Sequence, residues 1–156
     1  MIFAALGTMD MDFRRMARAV DNFAASANCD VIVQSGHTKY DYKFAKSFDF
    51  CTKDEMLEYL DRADVVILQG GWGAISEAMS KNKRIVAMPR YDICEHIHDQ
   101  FQLIKKLDSL GCVIGIFDEN ELAAKIKQAR SFDFKQLKKG CVEPLIRQKL
   151  NEWFAH

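Results

Sequence analysis

The sequence predicts an α/β fold with a Rossmann-like, doubly wound parallel sheet. Short apolar runs alternate with stretches of helical periodicity along the chain, which is the pattern of repeated β-α units. The run at 64–69 is hydrophobic through its centre, as expected of a strand with both faces covered. Hydrophobic residues make up 49% of the 156 residues and only 2 are proline, so the chain can bury the core of one compact domain.

The amino-terminal half contains three predicted strands and two predicted helices. The strands are expected at 2–6, 31–34 and 64–69, with a short extended piece at 48–51. Thr52 and Glu55 form a capping-box pattern, which predicts that the second helix begins there. Asp10 is the expected N-cap of the first helix, whose apolar stripe has helical spacing: Phe13, Met16, Ala17, Val20, Phe23 and Ala24.

The carboxyl-terminal half repeats this alternation. A helix is expected to end at Gly111, a residue type that favours the position after a helix. Pro144 is placed to open a last helix with an apolar stripe of Ile146, Leu150 and Trp153. The other predicted elements are, in order, a glycine-rich turn at 70–73, a helix at 74–81, a strand at 84–88, a strand at 112–117 and a helix at 119–130.

Charge and cysteine usage argue against several classes of protein. Lys plus Arg and Asp plus Glu both number 22, so the net charge gives no reason to expect nucleic acid as a partner. The five cysteines are widely spaced without a CxxC pair, which indicates neither a disulfide framework nor a zinc site. No apolar run approaches the roughly 20 residues that cross a bilayer, and no basic leader opens the chain. We expect a soluble, cytoplasmic protein.

The stretch 64–77 has the strongest chemical signal. A buried strand that runs into glycines and then a helix places free backbone N–H groups and a positive helix end at the carboxyl edge of the sheet, where a phosphate or diphosphate is favoured. Gly71 and Gly73 would let the backbone approach that ligand, Ser76 could donate a hydroxyl proton, and Glu77 could accept from ribose hydroxyls. Alternatively, the glycines only form a tight turn and Glu77 complements the helix dipole.

A second polar cluster occupies 89–102, after the next strand and therefore at the same edge of the sheet. His96 and His98, flanked by Glu95 and Asp99, could suggest a metal. Two histidines at i and i+2 with no third ligand at a fixed spacing make contacts to a nucleotide-sugar the favoured interpretation, and we expect no metal. Helix capping by Asp99 is the alternative.

Both clusters together resemble the C-terminal, donor-binding half of glycosyltransferase family 28. The likeness rests on Gly-Gly-Trp-Gly-Ala-Ile-Ser-Glu at 70–77, on the Ala-Asp-Val-Val-Ile strand before it, and on the following strand, proline and His/Asp/Gln cluster. It spans about residues 2–125 and includes Leu-Gly-Thr at 6–8 and Gln-Ser-Gly at 34–36. The chain is most similar to the small soluble subunits of split enzymes, in dolichol-linked oligosaccharide synthesis and in bacterial exopolysaccharide and capsule synthesis.

The resemblance implies a role for each matching residue. Asp99 stands where the family has a histidine, so His96 or His98 would substitute for it, and these three are the catalytic candidates. Gln100 would contact the donor sugar or ribose, and the backbone at Phe50 and Cys51 would contact the uracil. The implied contacts to a UDP-sugar donor are Gly7, Thr8, Phe50, Cys51, Gly71, Gly73, Ala74, Ser76, Glu77 and Gln100.

The resemblance also implies a reaction and a partner. The expected reaction is inverting transfer of a hexose or HexNAc-type sugar from a UDP-sugar to a lipid-linked glycan, with helix-end N–H groups in place of a metal. A membrane-associated partner would supply the acceptor site and recruit the chain to the inner face of the membrane. Residues 1–130 would form the donor-binding domain, and 131–156 a basic linker and amphipathic helix of the same domain. Eight cations against two carboxylates at 125–149 suit docking on a partner, and packing on the chain's own domain is the alternative.

Two other functions remain open at the level of sequence. Gly71 and Gly73 followed by Asp92 partly match a dinucleotide-binding fingerprint, although Ser76 replaces its third glycine. A chain of half-enzyme length could also be a non-catalytic accessory subunit that stabilises or activates a glycosyltransferase. An accessory subunit would not bind UDP in isolation.

Overall fold

The computed structural model shows a six-stranded, wholly parallel sheet with helices on both faces. It describes residues 1–90, 94–95, 99–137, 147, 149–150 and 152–153. The strands are β1 (Ile2–Ala5), β2 (Val31–Gln34), β3 (Lys46–Phe48), β4 (Val65–Gln69), β5 (Arg84–Met88) and β6 (Ile114–Gly115). The helices are α1 (Arg14–Ala24), α2 (Lys53–Arg62), α3 (Trp72–Ser80), α4 (Phe101–Ser109) and α5 (Leu122–Ser131).

The strand order β3-β2-β1-β4-β5-β6 is that of the doubly wound Rossmann fold, so the predicted fold class is confirmed. The order reverses between β1 and β4, and open α/β sheets bind ligands at the carboxyl end of such a switch point. The carboxyl ends of β1 and β4 are therefore where a site is expected.

Alternate residues of the central strands point into two separate cores. On β4, Val65 and Ile67 pack with α1 and α5, while Val66 and Leu68 pack with α2, α3 and α4. All four side chains are fully buried. This is why the run at 64–69 is apolar at consecutive positions, since both faces of a central parallel strand are covered.

The start of α1 differs from the prediction. The helix begins at Arg14 and no side chain caps it, so the predicted Asp10 cap is wrong. Asp10 is exposed, and its carboxylate lies 3.6 Å from His37 Nδ1. The N–H of Phe13 donates instead to the buried Thr38 hydroxyl, 25 residues away. A tertiary hydrogen bond thus replaces the local cap that the sequence suggested.

Strand β3 lies two residues before the predicted extended piece. It pairs with β2 from Ile32 opposite Lys46 to Gln34 opposite Phe48. The buried carboxylate of Asp21 accepts hydrogen bonds from three consecutive N–H groups at 43–45, immediately before the strand. Contacts with β2 and α1, which local patterning does not show, therefore decide where β3 begins.

Several other boundaries are also corrected. Helix α3 begins at Trp72 rather than at 74, with Gly71 as its N-cap. The strand predicted at 112–117 is only the two-residue β6, and the helix predicted at 119–130 is a 3-10 turn (Glu119–Glu121) followed by α5. The capping box of Thr52 and Glu55 is confirmed, and Gly111 ends α4 with φ +72°.

The predicted carboxyl-terminal helix lies mostly outside the described residues, including Pro144 and Ile146. Its described positions, 147, 149–150 and 152–153, are helical. Leu150 and Trp153 are exposed there, at 44% and 68%. In the described part of the chain, no helix is long and apolar enough to cross a membrane.

Candidate functional site

A cleft of about 380 Å³ opens at the carboxyl edge of the sheet, above β1 and β4. This volume is typical of small-molecule sites. The loop after β1, the turn after β4 and the first turns of α2 and α3 form its walls. The lining residues are Ala5, Gly7, Thr8, Gln34, Cys51, Thr52, Lys53, Met56, Gln69, Gly71, Gly73 and Ala74.

A larger cleft of about 510 Å³ lies near the opposite edge of the sheet, lined in part by Asp64, Lys83 and Arg84. The Asp64 carboxylate pairs with Arg84 at 2.6 Å and with Arg130 at 3.0 Å, and Lys83 donates to the carbonyl of Asp61. Because these charges already pair with one another and ligands of open α/β sheets bind at the carboxyl edge, the smaller cleft is the better candidate.

The two helix ends in the cleft differ. The N-terminus of α2 is closed by its capping box, in which Glu55 accepts from both Thr52 N and Thr52 Oγ1 at 2.8 Å. These hydrogen bonds hold the pKa of Glu55 below its usual range. The N-terminus of α3 has neither a side-chain cap nor an acidic residue in its first turn. The positive end of α3 is therefore the one left open to an anion.

Backbone groups at the start of α3 supply the hydrogen-bond donors. The first intrahelical bond runs from Ile75 N to Gly71 O, so the N–H groups of Trp72, Gly73 and Ala74 precede the helical ladder. A Cβ added at Gly73 would meet no atom within 4 Å. Gly73 therefore borders open space in the cleft, and a ligand can approach its backbone closely.

Six of the predicted donor contacts line this cleft, and four do not. The six are Gly7, Thr8, Cys51, Gly71, Gly73 and Ala74. Phe50 is half exposed, with its ring centroid 5.0 Å from that of His37. The Ser76 hydroxyl donates to Gly73 O at 2.9 Å, and Glu77 is partly buried in α3. Gln100, the fourth, is buried and donates a hydrogen bond to Gln69.

Cys51 and Lys53 contribute a thiol and a cation to the wall of the cleft where α2 begins. Partial burial raises the pKa of the Cys51 thiol, with a smaller contribution from the charge of Glu55, so the sulfur stays protonated at neutral pH. A protonated thiol is a poor nucleophile. Lys53 is the one cationic side chain among the described lining residues.

Two of the three catalytic candidates, His96 and His98, lie outside the described residues. The third, Asp99, is exposed, and its Oδ1 accepts from Phe101 N at 2.7 Å, which is a helix-start contact. Glu95 is held by Arg15 through both carboxylate oxygens, at 3.0 and 3.1 Å. Within the described ranges, no three His, Cys, Asp or Glu side chains come together as a metal site.

A buried cation fixes the loop that follows β1. Arg90 is 1% exposed, and its guanidinium donates to the carbonyls of Leu6, Met11 and Glu95 at 2.6–2.9 Å. It also lies over the ring of Phe13, 4.6 Å from the centroid. Arg90 thereby holds the cleft wall that contains residues 7 and 8.

Six lining residues were not predicted from the sequence as site residues: Ala5, Gln34, Thr52, Lys53, Met56 and Gln69. Gln34 and Gln69 end two parallel strands that are otherwise apolar. A polar residue at that position points to the ligand-binding edge of the sheet, and this signal could have identified both. Lys53 and Met56 gave no such signal, because they belong to an ordinary amphipathic helix.

Solved structures with a similar fold include two glycosyltransferases. The glycotransferase of kitacinnamycin matches with a TM-score of 0.65 and 19% identity, over 83% of this chain and 34% of its own. SnogD from Streptomyces nogalater matches with a TM-score of 0.57 and 14% identity, over 83% of this chain and 38% of its own. The chain thus spans little more than a third of either, and the likeness shows the fold, that of one half of a GT-B glycosyltransferase.

A comparison with curated protein sequences gave no match. The family model of the glycosyltransferase family 28 C-terminal domain, in contrast, matches residues 1–140 and so covers most of the chain. The matched region contains the sheet, the cleft and the glycine-rich turn. With the fold and this match in agreement, the chain belongs to the glycosyltransferase family 28 C-terminal domain family.

Proposed function

We propose that this chain is the donor-binding half of an inverting, UDP-sugar-dependent glycosyltransferase that adds a hexose or HexNAc-type sugar to a lipid-linked glycan. One observation supports this most strongly: α3 presents an uncapped N-terminus to the cleft, whereas α2 beside it is capped by its own side chains. A diphosphate matches the position, charge and donors of that open end. Family membership supplies the reaction class.

The proposed pose combines the walls of the cleft with the contacts at Phe50 and Glu77 that the family resemblance implies. The UDP diphosphate lies against the N–H groups of 72–74, and Lys53 faces it as the lining cation. The uracil lies towards Phe50 and Cys51, and Glu77 accepts hydrogen bonds from the ribose. As the glycosidic bond to the donor breaks, negative charge grows on the departing diphosphate, and the N–H groups of α3 stabilise that charge without a metal.

The acceptor site and the general base belong to the rest of the enzyme in this proposal. The chain covers about a third of each solved glycosyltransferase that it resembles, so a second half is needed. We assign that half to a membrane-associated partner that binds the lipid-linked acceptor and holds this chain at the inner face of the membrane. His96, His98 and Asp99 stay candidates for catalytic contacts from the donor side.

Calorimetric titration of the purified chain with UDP in the presence of EDTA tests the donor site. We expect saturable binding, and a loss of at least tenfold in affinity for Glu77→Ala, because a charge-assisted hydrogen bond of about 1.5–3 kcal/mol is removed. NAD and ADP serve as competing ligands, and binding of NAD in preference to UDP would favour a dinucleotide site.

The matched control is Glu58→Ala, which removes an exposed carboxylate from α2. It should bind UDP as the wild type does. If the wild-type chain binds no UDP, the donor role is wrong for the isolated protein, and an accessory subunit becomes the better description. If Glu77→Ala binds UDP normally, the ribose contact is wrong.

A further inference from the structure

Behind the glycine-rich turn, a hydrogen bond joins the side-chain amides of two glutamines, and its donor and acceptor atoms can be assigned. Gln100 is 7% exposed, and its amide meets the backbone N–H of Arg90 at 3.1 Å. Since a backbone N–H can only donate, the Gln100 atom that it meets is Oε1. Nε2 of Gln100 must then face the other way, where it donates to Gln69 at 2.9 Å.

The same reasoning fixes the amide of Gln69. Its accepting atom is Oε1, so its Nε2 points away from Gln100 and towards two glycines. A Cβ at Gly71 would lie 2.5 Å from Gln69 Nε2, and one at Gly7 would lie 2.8 Å from it. Gln69 lines the cleft, and no described residue accepts a hydrogen bond from this nitrogen. Its N–H groups therefore remain available to a ligand.

The glycines of the turn make room for these two side chains. A Cβ at Gly70 would lie 2.6 Å from Gln100 Cβ and 2.7 Å from its Oε1. Gly7, Gly70 and Gly71 thus each leave a space that a glutamine side chain fills. Gly73, which has open space around it, is the exception.

We propose that Gln100 is a positioning residue that acts through Gln69. It orients the Gln69 amide so that both N–H groups face the cleft. This role acts through Gln69 and is separate from the direct sugar or ribose contact that the family resemblance implies for Gln100. This inference rests on the proposed function and adds a residue role to the same site.

Comparison of two ligands separates this role from a direct sugar contact. In Gln100→Met, the dissociation constants for UDP and for UDP-GlcNAc should rise by the same factor, about tenfold, because both ligands contain the diphosphate. If Gln100 contacted only the donor sugar, UDP-GlcNAc alone would bind more weakly, and that result would overturn the proposal. A direct ribose contact would weaken both ligands, and its loss would add to that of Gln69→Met in the double variant. Gln102→Met, at an exposed position two residues further on, is the matched control and should leave both constants unchanged.

A double-mutant cycle tests whether Gln100 acts through Gln69. The double variant Gln69→Met, Gln100→Met should bind UDP no more weakly than Gln69→Met alone, since the second change removes only the orientation of an absent amide. Additive losses would overturn the link between the two residues.

A variant that keeps the hydrogen bond from Arg90 N distinguishes loss of the Gln69 orientation from misfolding. Gln100→Glu retains an acceptor for Arg90 N, but as a carboxylate it presents a second acceptor to Gln69 Oε1. The Gln69 amide must then turn its oxygen towards the cleft, so UDP and UDP-GlcNAc should again weaken together. Wild-type affinity for both ligands in a folded, ionised Gln100→Glu variant would contradict the proposal.

A measurement without ligand separates the failure of this inference from the failure of the proposed function. In ¹⁵N NMR spectra, Gln100→Met should shift the side-chain amide signal of Gln69 and the backbone signal of Gly71. Unchanged signals would overturn the positioning role even if UDP binds. If the signals shift but the wild type binds no UDP, the proposed donor function fails while the link between the two glutamines stands.

Discussion

A single buried polar side chain decides the geometry of the loop before β3. Asp21 is 2% exposed, and its carboxylate accepts from the N–H groups of Lys43, Phe44 and Ala45 at 2.9–3.0 Å. Burial by itself would raise the pKa of Asp21, but these hydrogen bonds outweigh it and hold the pKa below its usual range. The ionised carboxylate thereby fixes the segment that leads into β3.

The depressed pKa of Asp21 predicts a pH-dependent contribution to stability. Asp21→Asn should lower the free energy of unfolding by about 1–3 kcal/mol at pH 7, since three partly buried N–H groups lose a charged acceptor. The wild-type advantage is present above the pKa of the unfolded carboxyl, near 4, and is lost as the pH falls through the lower folded-state value. Urea unfolding at pH 7 and pH 3 measures both variants.

Asp41→Asn is the control, because Asp41 is exposed in the same loop. It should leave the free energy of unfolding within about 0.5 kcal/mol of the wild type. An equal difference between wild type and Asp21→Asn at both pH values would show that ionisation of Asp21 does not stabilise the loop.

At the scale of elements, the site is built from strand ends and helix starts. Parallel pairing brings the carboxyl ends of β1 and β4 side by side, and the loops after them meet at one edge. Gly7, with φ +92°, lets the loop after β1 turn sharply there. The first turn of α3 then faces this loop across the cleft.

Gly71 and Gly73 are two residues apart, but substitution should affect them differently. Gly73→Ala places a methyl group in open space within the first turn of α3, so the free energy of unfolding should rise by about 0.5–1 kcal/mol. The same methyl group would enter the cleft and weaken UDP binding. Gly71→Ala should weaken both stability and binding, because its Cβ would displace the Gln69 amide.

Thermal unfolding and UDP titration of the two variants measure these effects. The decisive comparison is between the two free energies of unfolding, which Gly73→Ala should raise and Gly71→Ala should lower. If Gly73→Ala binds UDP as tightly as the wild type, the diphosphate does not lie against that part of α3.

At the scale of the whole molecule, one sheet separates two apolar cores. The core between the sheet and α1 and α5 contains Phe13 and Met16, and the core on the other face contains Leu60 and Ile75. All of the described residues of both cores lie within 1–137. The basic segment beyond them has exposed apolar side chains at Leu150 and Trp153, which is the distribution expected of a docking helix.

Truncation after residue 137 tests whether the two cores and the cleft are independent of the carboxyl-terminal segment. The shortened chain should keep its free energy of unfolding and its affinity for UDP, because the cores and the cleft lie within 1–137. In cells, we expect the full chain to sediment with membranes and the shortened chain not to, since the proposed partner contact is lost. A large fall in stability would instead show that the segment packs on its own domain.

The sequence by itself determined the fold class, the order of strands and helices, and the edge of the sheet at which the candidate cleft lies. Apolar periodicity and helix-cap patterns are local signals, and so is a glycine-rich turn after a buried strand. For this reason β2, β5 and the capping box of α2 were predicted correctly, and six predicted donor contacts line the cleft.

Only the tertiary structure decided the cap of α1, the start of β3 and the link between Gln69 and Gln100. Thr38 lies 25 residues from Phe13, and Asp21 lies 22–24 residues from the N–H groups that it binds. Gln100 lies 31 residues from Gln69, and its orientation depends on the backbone of Arg90. A hydrogen bond depends on the distance and direction between its two groups in space. Sequence spacing gives neither for residues that are far apart in the chain, so these partners could not be predicted.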